Sequence, residues 1–159
     1  MASVPTTAIG LGLTSGMQLA YLTNNTQRAI EGFEGSAGIG PWVTREACLN
    51  LVDGPEGTAA QCRLLASFAY MNGRMFEIIE PVEEALPIFP LAPADALSVQ
   101  PHHVGAFMDD ADTVVAEARA ANLPYHRFTG GRGDIVFVDT RSVLGHWTEI
   151  PCFAPTIPP

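Results

Sequence analysis

The chain contains no lysine: each of its 8 basic residues is an arginine, from Arg28 to Arg141. Imine chemistry on a lysine amine, with a carbonyl substrate or with pyridoxal phosphate, is therefore excluded. Basic charge is scarce as a whole, because 17 acidic residues set the net charge at −9. Such a surface repels phosphates, which argues against nucleic acid and anionic membranes as partners. Cysteine is sparse too. Cys48, Cys62 and Cys152 are odd in number, far apart and without a Cys-x-x-Cys pair, which fits the reduced thiols of a cytoplasmic protein rather than a disulfide framework or a thiolate zinc site. No apolar run approaches membrane-spanning length, and the first basic residue is Arg28, too late for the positive start of a secretory signal.

What is present is a strongly apolar, weakly charged chain of 159 residues, 47% hydrophobic and 16% charged, a composition that folds as one compact domain. Residues 1–15 read as a loosely held arm and residues 154–159 as a proline-rich tail. Between them, residues 16–153 divide into a first module at 16–84, a connector at 85–100 interrupted by Pro87, Pro90 and Pro93, and a second module at 101–153.

The two modules spell the same order. In the first, Met17–Thr23 alternates as a strand, Asn24-Asn25-Thr26 offers helix N-caps, and Ala29, Ile30 and Phe33 make an apolar helical stripe that ends near the glycines at 35–40. An extended stretch from Pro41, a turn at 53–57, a strand at 59–71, the hairpin signal Asn72-Gly73 and a strand from Arg74 to Pro81 follow. In the second, a strand opens at Pro101-His102-His103-Val104-Gly105, and Asp109-Asp110-Ala111-Asp112 caps a helix carrying Val114, Val115, Ala118 and Ala121. Strands at 124–129 and 133–139, turned by Gly130-Gly131, and a last strand at His146–Pro151 complete it. Strand, helix and three strands, written twice, predict an α+β fold of two βαβββ modules.

Aligning the halves brings polar exceptions to matching places. Gln18 and His103 lie in the first strand of each module, Glu77 and Glu149 in the last. A pseudo-twofold axis would gather all four. Singly, a histidine or an acid in an apolar strand also reads as a hydrogen-bonded core residue. Together, an imidazole, two carboxylates and an amide oxygen form a mixed nitrogen and oxygen set suited to a divalent cation such as zinc, nickel, cobalt, manganese or iron. In a regular strand His102 points to the face opposite His103. His126 and His146 read as surface or hairpin histidines, and Trp42, Phe68, Tyr70, Phe107 and Trp147 as core residues or, with His102, the lining of a substrate pocket.

Four local marks in order, Gly38-Ile39-Gly40-Pro41-Trp42, Phe76-Glu77-Ile78-Ile79-Glu80-Pro81, His102-His103-Val104-Gly105, and Asp139-Thr140-Arg141 with Leu144-Gly145-His146-Trp147-Thr148-Glu149, make the chain resemble the vicinal oxygen chelate superfamily, the glyoxalase, bleomycin-resistance and ring-cleaving dioxygenase fold. The resemblance is nearest to the branch of methylmalonyl-CoA epimerase and glyoxalase-like proteins. It implies paired modules curling around a central metal or substrate cleft, with Gln18, Glu77, His103 and Glu149 as ligands and a homodimer as the assembly. Zinc glyoxalases of this fold hold glutathione with an Arg four residues past the first ligand; Leu22 stands there, which argues against glutathione. Gln18 in place of a histidine argues against the dioxygenase branch. The expected function is a metal-dependent isomerase, epimerase or lyase acting beside a carbonyl of a small, largely apolar substrate, with Glu149 and Glu77 as base and acid. A metal-independent small-molecule binder is the alternative from another class, and a metal-dependent hydrolase or dioxygenase of the same fold a further one.

Overall fold

The computed structural model describes residues 7, 10, 18–55, 57, 60–83 and 86–153. The expected tail and nearly all of the expected arm lie outside them. The fold is α+β: β1 (Gln18–Thr23), α1 (Thr26–Ala37), β2 (Trp42–Asp53), β3 (Gln61–Met71), β4 (Arg74–Glu83), β5 (Val99–Gly105), α2 (Ala111–Ala120), β6 (Tyr125–Gly130), β7 (Gly133–Val138), α3 (Arg141–Leu144) and β8 (Trp147–Pro151). Each module folds with its first strand beside its last, and the eight strands close in the order β1-β4-β3-β2-β6-β7-β8-β5. First strands pair antiparallel across one seam, β1 with β5. Across the other seam β2 meets β6 only from Asn50↔Thr129 to Asp53↔Arg127. Tyr125 and Arg119 clamp that second seam, donating to Asp53 Oδ2 at 2.5 and 3.1 Å.

Period-two alternation decides which residues enter the barrel. Leu22, Leu49, Leu51, Cys62, Leu64, Ile79, Phe128, Phe137 and Trp147 fill it, while Val136, Val138 and Ile150 on the outer face receive Val114, Val115 and Ala118 of α2. The helix starts follow from side-chain acceptors. Asn25 accepts from the Arg28 amide at 3.0 Å, and Asp110 accepts from the amides of Asp112 and Thr113, satisfying donors that the first turn leaves open. α1 stops at Gly38, whose φ of 64° is the left-handed conformation a helix C-terminus favours in glycine.

Asn24, read from sequence as a cap candidate, works elsewhere. Its Nδ2 donates to the carbonyls of Pro93 and Ala96 at 2.6 and 2.7 Å, and its Oδ1 accepts from the Ser98 amide, so it pins the connector to the end of β1. The connector does more than wrap between the modules. Ile88 and Phe89 turn into the barrel and are 1% and 0% exposed. Phe89 packs against Phe137 and Phe128 with centroids 5.4 and 6.1 Å away, closing the barrel at the end where β1 finishes.

Candidate metal centre

The four matched polar residues meet inside the barrel. Ala20 pairs with Glu77 on one side and with His103 on the other, so its small side chain leaves a gap across which those two side chains approach. Gln18 pairs with Gly105 across the β1–β5 seam, and Gly105 with Glu149 across β5–β8. A Cβ on Gly105 would stand 2.8 Å from Gln18 Oε1 and 3.2 Å from Glu149 Oε2. Sequence reasoning missed Ala20 and Gly105. The signal was there in principle: a small residue two positions after Gln18 and two positions after His103, on the same strand face.

His103 Nε2 lies 3.2 Å from Glu77 Oε2 and 3.0 Å from Glu149 Oε2. One donor atom each from Glu77, His103 and Glu149 falls within 4.8 Å of the others, and the group could hold a metal ion. Gln18 Nε2 donates to Glu77 Oε2 and lies 3.4 Å from His103 Nε2. Exposures of 2% for His103, 3% for Gln18, 5% for Glu149 and 6% for Glu77 leave the cluster almost without bulk water. Glu149 Oε2 lies beside the His103 ring nitrogen but makes no aligned hydrogen bond. A buried carboxylate oxygen in that state is costly unless a cation completes it. Two carboxylate oxygens and an imidazole nitrogen are the donors a divalent first-row ion takes, so the residues fit the metal.

The electrostatics follow from crowding two acids around one base. Burial raises the Glu77 carboxyl, His103 lowers it again and Glu149 raises it, with a net upward shift. Burial alone would lower His103; Glu149 and Glu77 outweigh it and push the imidazole up to about 9. His102 moves the other way, down to about 3, by burial first and by its charged neighbour His103 second, and is therefore neutral. Its Nδ1 lies 2.9 Å from His103 Nδ1 and its Nε2 lies 2.7 Å from the Ile88 carbonyl oxygen.

The expectation that His102 faces away from His103 is corrected. Ala20 pairs with His103 and Tyr21 with Pro101, a register shift that leaves His102 as the extra residue. A β-bulge of this kind interrupts the alternation, so two consecutive side chains enter the same side of the sheet. His126 is also no surface histidine: on β6 it shares the inward face with Phe128, is 3% exposed, and packs edge-on to Trp147 at 5.5 Å. His146 is half-buried and approaches the Trp147 carbonyl at 2.8 Å.

The expected pocket residues are not all in one place. Phe68 is the cross-strand neighbour of Glu77, and Tyr70 of Met75; both are half-buried on the inner face of β3. The residues of β2 before Asn50 have no partner across the β2–β6 seam among the described residues. Along that stretch the inner face is open: Val43, paired with Phe68, is 51% exposed, and Arg45 is exposed. Phe107 is half-buried just past β5. Trp147 is buried in the barrel, with the Arg141 guanidinium 4.5 Å above its ring. Trp42 lies on the outer face, edge-on to Phe33 of α1 at 5.5 Å.

No helix among the described residues is long and apolar enough to cross a membrane. No family sequence model and no curated protein sequence matches the chain. Solved structures do. Two βαβββ modules closed around an inward cluster of polar side chains define the vicinal oxygen chelate fold, and this chain has it. Methylmalonyl-CoA epimerase from Mycobacterium tuberculosis superposes with a TM-score of 0.61 at 12% identity, over 96% of this chain and 94% of that one. A hypothetical protein from Bacillus halodurans C-125 gives 0.59 at 16% identity over 91% and 97%. A variant of the Streptomyces coelicolor methylmalonyl-CoA epimerase, in complex with 2-nitronate-propionyl-CoA, gives 0.54 at 17% identity over 85% and 94%.

Proposed function

We propose that the chain is a metal-dependent isomerase that removes and returns a proton at the carbon beside a carbonyl, an epimerase in the simplest case. The observation that supports this most is the convergence of Glu77 and Glu149 with His103 at one buried point. Epimerases among the structural neighbours support the same reading. A divalent cation held by Glu77, His103, Glu149 and Gln18 would stabilise the charge that develops on the carbonyl oxygen. Gln18 turns its amide nitrogen to Glu77 here; a half-turn of the amide brings its oxygen to the same place, as a cation requires.

The remaining chemistry belongs to the carboxyl groups. Glu149 takes the proton, the carbon–hydrogen bond breaks, and its electron pair moves onto the carbonyl oxygen. Glu77, on the first module's side of the cluster, would return a proton to the opposite face of the carbon when displaced from the cation and protonated. The substrate enters across the open inner face of β2 and β3, its apolar body over Phe68 and Tyr70 and any negative group toward Arg45. Three free thiols, Cys48, Cys62 and Cys152, suit a reducing compartment such as the cytoplasm.

Deuterium exchange tests this. In heavy water, methylmalonyl-CoA should gain deuterium at the carbon beside its thioester carbonyl, in a way that chelation stops and added zinc, nickel, cobalt, manganese or iron restores. Tight binding of a small apolar molecule without exchange, unaffected by chelator and by Glu77→Ala, would show instead a metal-independent carrier.

A further inference from the structure

His102 is the one member of the buried polar cluster that has no part in the chemistry above, yet both of its ring nitrogens are engaged. Its Nε2 sits 2.7 Å from the Ile88 carbonyl oxygen. A carbonyl can only accept, so this nitrogen carries the proton. Buried, with its nitrogens against a carbonyl and an imidazole while the carboxylates lie at His103, His102 has no counter-ion for a second proton, which leaves its Nδ1 as a bare acceptor facing His103 Nδ1 at 2.9 Å. His103 must then donate from Nδ1, so Nε2, the nitrogen that stands 3.2 and 3.0 Å from the two carboxylates, is the one that would give up its proton to a cation.

We propose that His102 is the positioning residue of the metal centre: anchored on the connector carbonyl of Ile88, it keeps the Nδ1 proton on His103 and fixes the ring so that Nε2, facing Glu77 and Glu149, is the nitrogen a cation takes. The inference rests on reading that cluster as a metal centre. Ligating histidines generally need a partner for their second nitrogen, commonly a carboxylate, a carbonyl or water. Here the partner is a second histidine, and the carbonyl stands one step further out. The β-bulge at His102 makes this possible by turning both rings inward. Packing then holds the rings: Phe89 stacks on His102 with centroids 5.2 Å apart, and Phe137 stands edge-on to His103 at 5.3 Å. With His102 6% and His103 2% exposed, bulk water hardly competes for these nitrogens. The connector is consequently part of the centre. Its turn supplies both the carbonyl that sets the chain of hydrogen bonds and the ring that stacks on its middle member. No ring nitrogen of His102 is left for a substrate.

Two measurements on the full-length protein test it. In wild-type protein with nitrogen-15 histidine, a through-hydrogen-bond coupling should connect His103 Nδ1–H to His102 Nδ1; its absence, or a His103 ring protonated only at Nε2, overturns the proposal. Zinc affinity, read by competition with a chromophoric chelator, should fall by about 10–100-fold in His102→Phe, which keeps the ring stack but removes the acceptor. His102→Asn, whose amide oxygen stands near the place of Nδ1, should recover most of it. Equal zinc binding by wild type and His102→Phe, or no recovery by His102→Asn, sinks the relay alone. No zinc uptake by wild type sinks the reading of the cluster as a metal centre and this inference with it. If His102→Phe does not fold, the wild-type coupling decides.

Discussion

His103 and Glu149 lie on adjacent parallel strands, two positions apart in register, and their Nε2 and Oε2 atoms stand 3.0 Å apart. That short approach joins the second module's first strand to its last, and Glu77 brings the first module to the same point. Glu149→Gln keeps the shape and removes the charge. Zinc affinity should fall by more than the about 10–100-fold typical of a residue that acts through a ligand, while circular dichroism stays unchanged. Retained affinity in Glu149→Gln would remove this residue from the ligand set.

Gly105 is the position where a single methyl group reads out the crowding of the centre. Gly105→Ala places a carbon against Gln18 Oε1 and Glu149 Oε2. Gln18 can swing aside, so the barrel should survive while zinc affinity drops. A melting temperature within about 5 °C of wild type, with weakened binding in a chelator titration, is the expected pair of results; on the usual scale that shift is about 2 kcal/mol or less.

Metal-free protein should lose stability as the pH rises. His103 has an ordinary value of 6.5 and is held up to about 9 in the folded chain. The folded state therefore binds the proton more tightly than the unfolded state. Its contribution is complete below about pH 6.5 and disappears as the pH passes through about 9. Chelator-treated protein melted at several values between these limits should show a falling melting temperature, with a shallower fall in Glu149→Gln. A flat profile in the wild type would contradict the cluster's charge balance.

The three thiols should react in order of exposure. Cys48 is exposed and Cys62 buried, and burial pushes the Cys62 thiol up to about 11, with Cys48 adding to the shift. Since the thiolate is the nucleophile, a maleimide at neutral pH should modify Cys48 first and Cys62 only after unfolding. Mass spectrometry of peptides from a timed reaction checks this.

Phe89→Ala should cost about 3–5 kcal/mol, the range for emptying a buried aromatic site, because the ring is fully enclosed and touches Phe128, Phe137 and His102. Denaturant unfolding with an unchanged slope measures it. A loss below about 1 kcal/mol would mean that the connector does not plug the barrel in solution.

Local chemistry made most of the fold legible in advance. Asn25 and Asp110 cap helices because their short side chains reach nearby amides, and strand faces follow from alternation, both of which depend only on neighbours in sequence. The repeat of strand, helix and three strands brought Gln18, Glu77, His103 and Glu149 to equivalent places before any contact was known. Nothing local marked the short helix α3, a single turn after Thr140, or the recruitment of Asn24 to the connector, whose partners at Pro93, Ala96 and Ser98 are some 70 residues away.

Sequence alone determined the two-module α+β order, the absence of lysine chemistry and the identity of the four converging residues, since periodicity, composition and internal repetition are properties of the chain itself. Tertiary structure decided the rest. Alternation predicted an outward His102, but pairing β5 against β1 forced an extra residue into the register and turned it inward. Composition made 85–100 a connector, yet the space left inside a closed barrel drew Ile88 and Phe89 into it. A bulge and a filled interior both arise from the fit between strands distant in sequence, and no window along the chain contains that information.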